Sequence, residues 1–430
     1  MLNNSKRNLV RLTEIAHLRI FGHEIGNEMR RFLGNLSWSF FGGVIAAAIM
    51  FAVNILAGRW LGPEEYGKYN AILSFATILS TLYLFGMDTS SVRYLSDKKH
   101  ADSSKKIFTT ALYFVMLIQG IITLLLLLWY RFFSSEVFFS ESFLLLGILL
   151  AIIISFKSLF NGFLRAFHKY KQQSSLRIID AVFVLAAIFL LVSFYQWRIA
   201  SSYAYSFVIG GGVFIGFSLW NLRKNIFRFD FSLLKKIFFE YNRYVLVMSL
   251  IGMVLVSDKL IIGKILGMEA LGYFSAYYVA SHLFVAELGG IFMNVFWPSV
   301  IKNAESMVEL VKKTTRLFIF FTPVWVFLIG LSTLVIFSFF GKEYPLRYDY
   351  VILFSINTFL GFLLSIFIGF LSIHYIRKSI LISFLFVIFS ITTLVLTKNI
   401  TLYLFVQILS QIVFIMWIKL FLLKQVWVRT

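Results

Sequence analysis

Ten ionisable side chains fall within or at the ends of long apolar runs, where they could do chemistry. Four are the bases Arg59, Lys157, Lys259 and Lys264. Four more are Asp180, Asp258, His282 and Glu287, and the last two are Asp88 and Arg93. A charge at the centre of a membrane helix costs about 2.5–3.5 kcal/mol, so each needs a reason. Bases lining a wet cavity would lower the barrier to an anionic cargo, and arginine grips phosphate with a planar fork. Arg59, Lys157, Lys259 and Lys264 are therefore candidate cargo-binding cations. Each has a plainer alternative. Arg59 and Lys264 stand at span ends and could snorkel to lipid headgroups. Lys157 could pair with Asp180. Lys259 lies deeper and is read as cavity-facing.

The acids suggest coupling. A buried carboxylate that can take a proton or a sodium ion could drive transport. Glu287 ranks first by depth and Asp258 second, with His282 and Asp180 as further candidates; a satisfied structural acid is the alternative for each. Asp258 and Lys259 are neighbours, so they point about 100° apart on a helix and one of them should meet a group from another helix. Asp88 with Arg93 reads as a topology clamp or gate. No catalytic triad, phosphate-binding glycine loop or metal-ligand cluster is present in the sequence, so no catalytic residue, metal or cofactor is expected and an enzyme is not.

The elements that must position these groups are membrane helices. Hydrophobic residues make up 60% of the 430 and charged residues 14%. A soluble domain carries roughly 25% charged residues, so the solvent here is largely lipid. The chain has no cysteine, which excludes disulfides and thiolate metal sites. Residues 1–36 carry arginines and lysines without the apolar core of a cleavable signal. They read either as an amphipathic helix on an anionic leaflet or as a partly disordered tail.

One motif repeats. Leu61-Gly62-Pro63-Glu64-Glu65-Tyr66-Gly67 returns about 205 residues later as Leu266-Gly267-Met268-Glu269-Ala270-Leu271-Gly272. Each copy joins two apolar runs, and Gly62 and Gly267 can take the positive φ that ends a helix. Runs of spanning length fall at 37–58, 70–90, 107–129, 142–163, 178–195 and 200–219. A second series falls at 244–264, 273–297, 317–339, 350–372, 379–396 and 401–422. The expected fold is all-α, with about twelve transmembrane helices in two six-helix bundles. The bundles cover 37–219 and 244–422, joined by an interfacial linker at 220–243 and followed by a tail at 423–430.

Direction follows from the bases. Even-numbered connections hold clusters such as Lys98, Lys99, Lys105 and Lys106, whereas odd-numbered ones hold scattered bases. By the positive-inside rule both termini are cytoplasmic and the repeated turns face outward. Each bundle then begins inside, so the two are parallel repeats. The net charge of +20 is mostly this topology signal, and nucleic-acid binding is not expected.

The run Ala57-Gly58-Arg59-Trp60-Leu61-Gly62-Pro63-Glu64-Glu65-Tyr66-Gly67 resembles the opening of bacterial polysaccharide or O-antigen flippases. So do Gly86-Met87-Asp88, Val92-Arg93-Tyr94-Leu95, Asp258-Lys259-Leu260-Ile261-Ile262-Gly263 and Ala270-Leu271-Gly272-Tyr273-Phe274. These belong to the multidrug/oligosaccharidyl-lipid/polysaccharide (MOP, MATE-like) exporter superfamily. At motif level the resemblance covers about 80 residues and is weak on substrate. It implies a flippase carrying a polyprenyl-diphosphate-linked oligosaccharide across the bacterial inner membrane by alternating access. It also implies membrane lipids, a polysaccharide polymerase and glycosyltransferases as partners, for O-antigen or lipopolysaccharide assembly. A cation-coupled small-molecule exporter of the same superfamily is the second reading. A membrane glycosyltransferase is the third, disfavoured by the short loops.

Overall fold

The computed structural model describes residues 27–96, 103–133, 140–226, 229–237, 242–282, 285 and 307–427. Among them every regular element is helical. Lipid offers the backbone no hydrogen-bond partner, so a continuous apolar run must satisfy its own amides, as a helix does.

Helix α1 (Asn27–Leu84) holds the first two expected spans in one element, bent at Gly62 (φ 70°, ψ 172°). Its apolar stretch Phe41–Leu84 has 44 residues. At 1.5 Å per residue that is about 66 Å, twice a bilayer core, so the helix has to fold back. Gly62 supplies the reversal and Pro63 starts the second limb, where its missing N–H costs nothing. The expected loop over 59–69 is therefore mostly helix. The second limb breaks again at Phe85 and Gly86, both at positive φ, and resumes as α2 (Met87–Ser96).

Next come α3 (Ser104–Phe133), α4 (Glu141–Ala166), α5 (Tyr170–Ile188) with a π-helical turn at Phe189–Phe194, and α6 (Ala200–Leu222). The linker holds a short helix, α7 (Phe231–Ile237). Asp230 caps it by accepting the Ser232 and Leu233 N–H groups at 3.0 and 3.2 Å. The Ser232 hydroxyl, followed by the Leu233 amide, holds the Asp230 carboxyl below its ordinary range. The second half begins with α8 (Arg243–Val256) and α9 (Asp258–Leu266), broken at Ser257. Helix α10 (268–282) follows, then α11 (Met307–Phe337), α12 (Tyr348–His374), α13 (Ile376–Thr397) and α14 (Ile400–Trp427). Nine helical stretches among the described residues are long and apolar enough to cross a membrane. Leu117, Leu124, Leu125 and Leu128 on α3 and Phe384, Ile388 and Phe389 on α13 are exposed; these are surfaces for acyl chains.

In the first half, α1 packs on α4, α5 and α6; in the second, α12 packs on α11, α13 and α14. Across the halves, α1 meets α8 and α9. The molecule has a turn end, which carries Gly62 and Gly267, and an opposite linker end. Near the turn end both halves share one core, including Tyr66, Tyr69 and Tyr203 from the first and Tyr277, Phe337, Phe340 and Tyr344 from the second. At the linker end each half has its own core. One is built on Phe108, Phe160 and Phe163, the other on Phe318, Phe367 and Phe370.

A hydrogen-bonded stitch crosses near the linker end. The fully buried Asn242 donates to the Phe85 carbonyl at 2.7 Å and accepts from the Ser90 hydroxyl at 2.7 Å. It thereby satisfies a carbonyl freed by the break in the second limb. A Cβ on Gly86 would sit 2.7 Å from the Asn242 oxygen, so glycine makes the room.

Candidate functional site: the seam between the two halves

The repeated turns touch each other reciprocally. A methyl on Gly67 would lie 1.8 Å from the Met268 carbonyl oxygen, and one on Gly272 would lie 1.9 Å from the Pro63 carbonyl oxygen. Pro63 matches Met268 and Gly67 matches Gly272 at the repeat offset. The duplicated motif therefore builds a backbone-to-backbone clasp with local two-fold character. Only glycine permits so close an approach.

A strap over residues 338–347 reinforces the clasp. Tyr344 donates to the Gly58 carbonyl at 3.0 Å. Phe340 fills the space where a Gly58 side chain would be, 2.2 Å from its ideal Cβ. Tyr277 donates to the Pro345 carbonyl at 2.8 Å and accepts the Arg347 N–H at 2.7 Å. The sequence reading missed this strap, although Gly341 and Pro345 mark a turn between two spans.

Toward the linker end the seam opens. A cavity of about 310 Å³ is lined by Ser80, Thr81, Asp88 and Ser158 from the first half and Ser249 and Met253 from the second, among others. A neighbouring cavity of about 260 Å³ shares Asp88 and Ser158 and adds Arg165 and Tyr170. Asp88 accepts a hydrogen bond from Ser158 at 3.1 Å. The residue read as a gate or clamp thus faces both cavities. Ser158, which the sequence reading did not single out, orients it. Gly162 lets α2 lie close: a Cβ there would meet Val92 at 2.7 Å. Arg93 is exposed on α2.

The structure does not gather the four candidate cations in one place. Lys157 pairs with Asp180 at 2.5 Å, both side chains largely buried; this is the alternative the sequence left open for it. Gly210 and Gly211 of α6 cradle the pair, since added Cβ atoms would meet Asp180 oxygens at 2.8–3.0 Å and Lys157 at 3.1 Å. The second Asp180 oxygen is buried without a partner among the described residues. Arg59 lines a separate pocket of about 620 Å³ at the turn end with Lys342 and Glu343. Lys264 is exposed.

Lys259 sits in the second half with its ammonium 4.3 Å from the centre of the Tyr278 ring. Tyr278 stacks on His282 at 4.8 Å. The attraction between the ammonium and the ring face offsets part of the cost of burial. Its neighbour Asp258 accepts the Lys259 backbone N–H at 2.6 Å and the Tyr403 hydroxyl at 3.4 Å. Tyr403 is also 3.4 Å from Ser390. The expected partner from another helix thus comes to Asp258 from α14. Glu287 lies outside the described residues.

The Lys157–Asp180 pair gives a direct expectation. Asp180→Asn alone leaves a buried ammonium uncompensated and should cost about 3–5 kcal/mol. Lys157→Met combined with Asp180→Leu should cost less than either single change. The amount of monodisperse protein after detergent extraction checks this; equal loss in all three variants contradicts it.

A family model described as "Polysaccharide biosynthesis protein" matches residues 32–304. No curated protein matches the chain. Among solved structures, an inward-facing multidrug resistance MATE family transporter of the MOP superfamily aligns with TM-score 0.64 at 14% identity, over 86% of this chain and 94% of that one. An outward-facing structure described in the same words aligns with TM-score 0.59 at 13% identity, over 91% and 96%. A MOP superfamily transporter from Pyrococcus furiosus, described as having a binding pocket of reverse polarity, aligns with TM-score 0.56 at 12% identity, over 90% and 94%. Identities this low bear on fold alone. Through the family match and its multi-pass helical fold, the chain belongs to the polysaccharide biosynthesis protein family, with the architecture of MATE-like MOP transporters.

Proposed function

We propose that this protein is a flippase that moves a polyprenyl-diphosphate-linked oligosaccharide, the repeat unit of a surface polysaccharide such as O-antigen, across the bacterial inner membrane. One observation carries the reading. The halves share a core and a reciprocal glycine clasp at one end, and keep separate cores around open cavities at the other. That is one of the two states alternating access requires. The distribution of bases supports cytoplasmic termini, a cytoplasmic linker end and an outward turn end. The cavities would then admit cargo from inside, and the clasp would close the outer route.

In this arrangement the charges act in series. Arg165 stands at the inner mouth, Lys259 lies within the second half and Arg59 at the outer rim. An anionic headgroup would meet them one after another instead of in one cationic chamber. Asp258 and Asp180 remain the described candidates for proton or sodium coupling, with His282 beside Lys259. Glycosyltransferases would supply the cargo and a polymerase would consume it.

A second reading has its own support. The cavity between the halves is lined by Asp88 and hydroxyls, a surface suited to a cationic small molecule. A deletion strain separates the two. The flippase reading expects lipid-linked oligosaccharide to accumulate facing inward, and surface polysaccharide to be lost. The exporter reading expects intact polysaccharide with raised sensitivity to cationic drugs.

A further inference from the structure

The closed turn end hides an unusual group of side chains. Tyr66, Tyr69 and Tyr203 are each 0% exposed, and no hydrogen bond of good geometry reaches their hydroxyls among the described residues, although the Asn70 side chain lies beside that of Tyr66. The rings are neighbours, with Tyr66–Tyr69 centroids at 6.0 Å and Tyr69–Tyr203 at 5.7 Å. A buried hydroxyl without a partner is disfavoured relative to phenylalanine. Three together point to another state in which they are satisfied.

Their place in the fold suggests that state. Tyr66 belongs to the clasp motif, and the second half covers it edge-on through Phe340 at 5.8 Å and Tyr344 at 6.4 Å. Parting the clasp would remove that cover and bare the Tyr66 ring and hydroxyl. The same Phe340 and Tyr344 already line the open turn-end pocket of about 620 Å³, beside Phe337, Arg59, Lys342 and Glu343. Neither Arg59 nor Lys342 has a carboxylate within ion-pair distance among the described residues. The half-exposed Phe339 ring and the exposed Ser338 line the same pocket as these two bases, and an aromatic face, a hydroxyl and unpaired bases around one space are the chemistry that recognises an acidic sugar. The ring stacks on an apolar face of the saccharide, the hydroxyl meets its hydroxyls, and the bases meet its carboxylate.

We propose that the turn-end pocket is a saccharide site for acidic sugars, and that Tyr66 joins it when the clasp opens. This rests on the flippase reading but fails separately from it. Loss of polysaccharide in a deletion strain tests the flippase, whereas the binding experiment uses purified protein and needs no translocation.

The chain has no cysteine, so Ser338→Cys places a single thiol on the exposed pocket wall. Its labelling by a maleimide is followed in detergent, with hyaluronan tetrasaccharide, maltotetraose or inorganic pyrophosphate added. The acidic tetrasaccharide should slow labelling by about fivefold or more, a change that corresponds to substantial site occupancy. Arg59→Gln with Lys342→Gln should remove the preference over maltotetraose, with protection expressed against that variant's own unprotected rate, which falls because the thiol loses two nearby cations. No protection by either saccharide overturns the proposal, as does pyrophosphate protecting equally well, which would mark a bare phosphate site. Tyr66→Phe supplies a second test. It should raise the melting temperature, by removing an unpartnered hydroxyl, and yet slow translocation. Unchanged translocation, or a lowered melting temperature, overturns the assignment for Tyr66.

Discussion

Gly67→Val is expected to abolish polysaccharide export while the protein still inserts and folds. The first methyl alone would lie 1.8 Å from the Met268 carbonyl oxygen, and that carbonyl belongs to backbone, not to a side chain that can swing away. Overpacking of this kind typically costs about 1–3 kcal/mol or more. A penalty of about 3 kcal/mol on the closed turn end reduces its population more than 100-fold. Gly272→Val should behave alike, because it meets Pro63 in the reciprocal contact. Each variant should sit in an outward-open state, with residues of the turn end labelled more quickly from outside. The matching exposed glycine Gly212, whose added Cβ would meet nothing within 4 Å, is the control and should tolerate alanine.

Lys259→Met is the second large effect. The side chain is about as long but carries no charge. A charge-assisted contact to a diphosphate is worth about 1.5–3 kcal/mol, so translocation should fall roughly 10- to 100-fold with the fold intact. Lys259→Arg keeps the charge and its seat over Tyr278, and should retain most activity. Translocation rates measured with reconstituted protein check both. If Met and Arg are equally active, the ammonium has no role in transport. If neither folds, the lysine is structural, held by Tyr278 and the nearby Asp258.

Much of this architecture is legible in the sequence because lipid imposes simple rules. Runs of apolar residues become helices, and the two Leu-Gly turns mark where the repeats correspond. The helix bends needed more. The tight reversal at Gly62, with helix resuming at once from Pro63, and the break at Phe85–Gly86 depend on what packs beside them: Glu343 near Gly62, and Asn242 beside Gly86. Partner choice was least legible. The Lys157–Asp180 pair, 23 residues apart, was one of two readings the sequence left open, but Ser158 with Asp88, 70 apart, and Asn242 with Phe85, 157 apart, were not foreseen. Apolar periodicity says which residues lie in membrane helices. It does not say which charged residue meets which, because helices rotate to suit whole packing faces. The clasp illustrates the difference. The motif was visible as a repeat, but only the folded chain shows that its two copies grip each other.

The most direct test combines transport with the clasp. In the cysteine-free chain, Glu64→Cys and Glu269→Cys place one thiol on each turn. The doubly substituted protein is reconstituted with a fluorescent polyprenyl-diphosphate oligosaccharide, and movement of the lipid between leaflets is followed. Reduced protein should move it well above protein-free vesicles, bridging the thiols should stop it, and reduction should restore it. Movement no faster than in empty vesicles, or equal rates with the turns bridged and free, would contradict transport through a seam that opens and closes at the turn end.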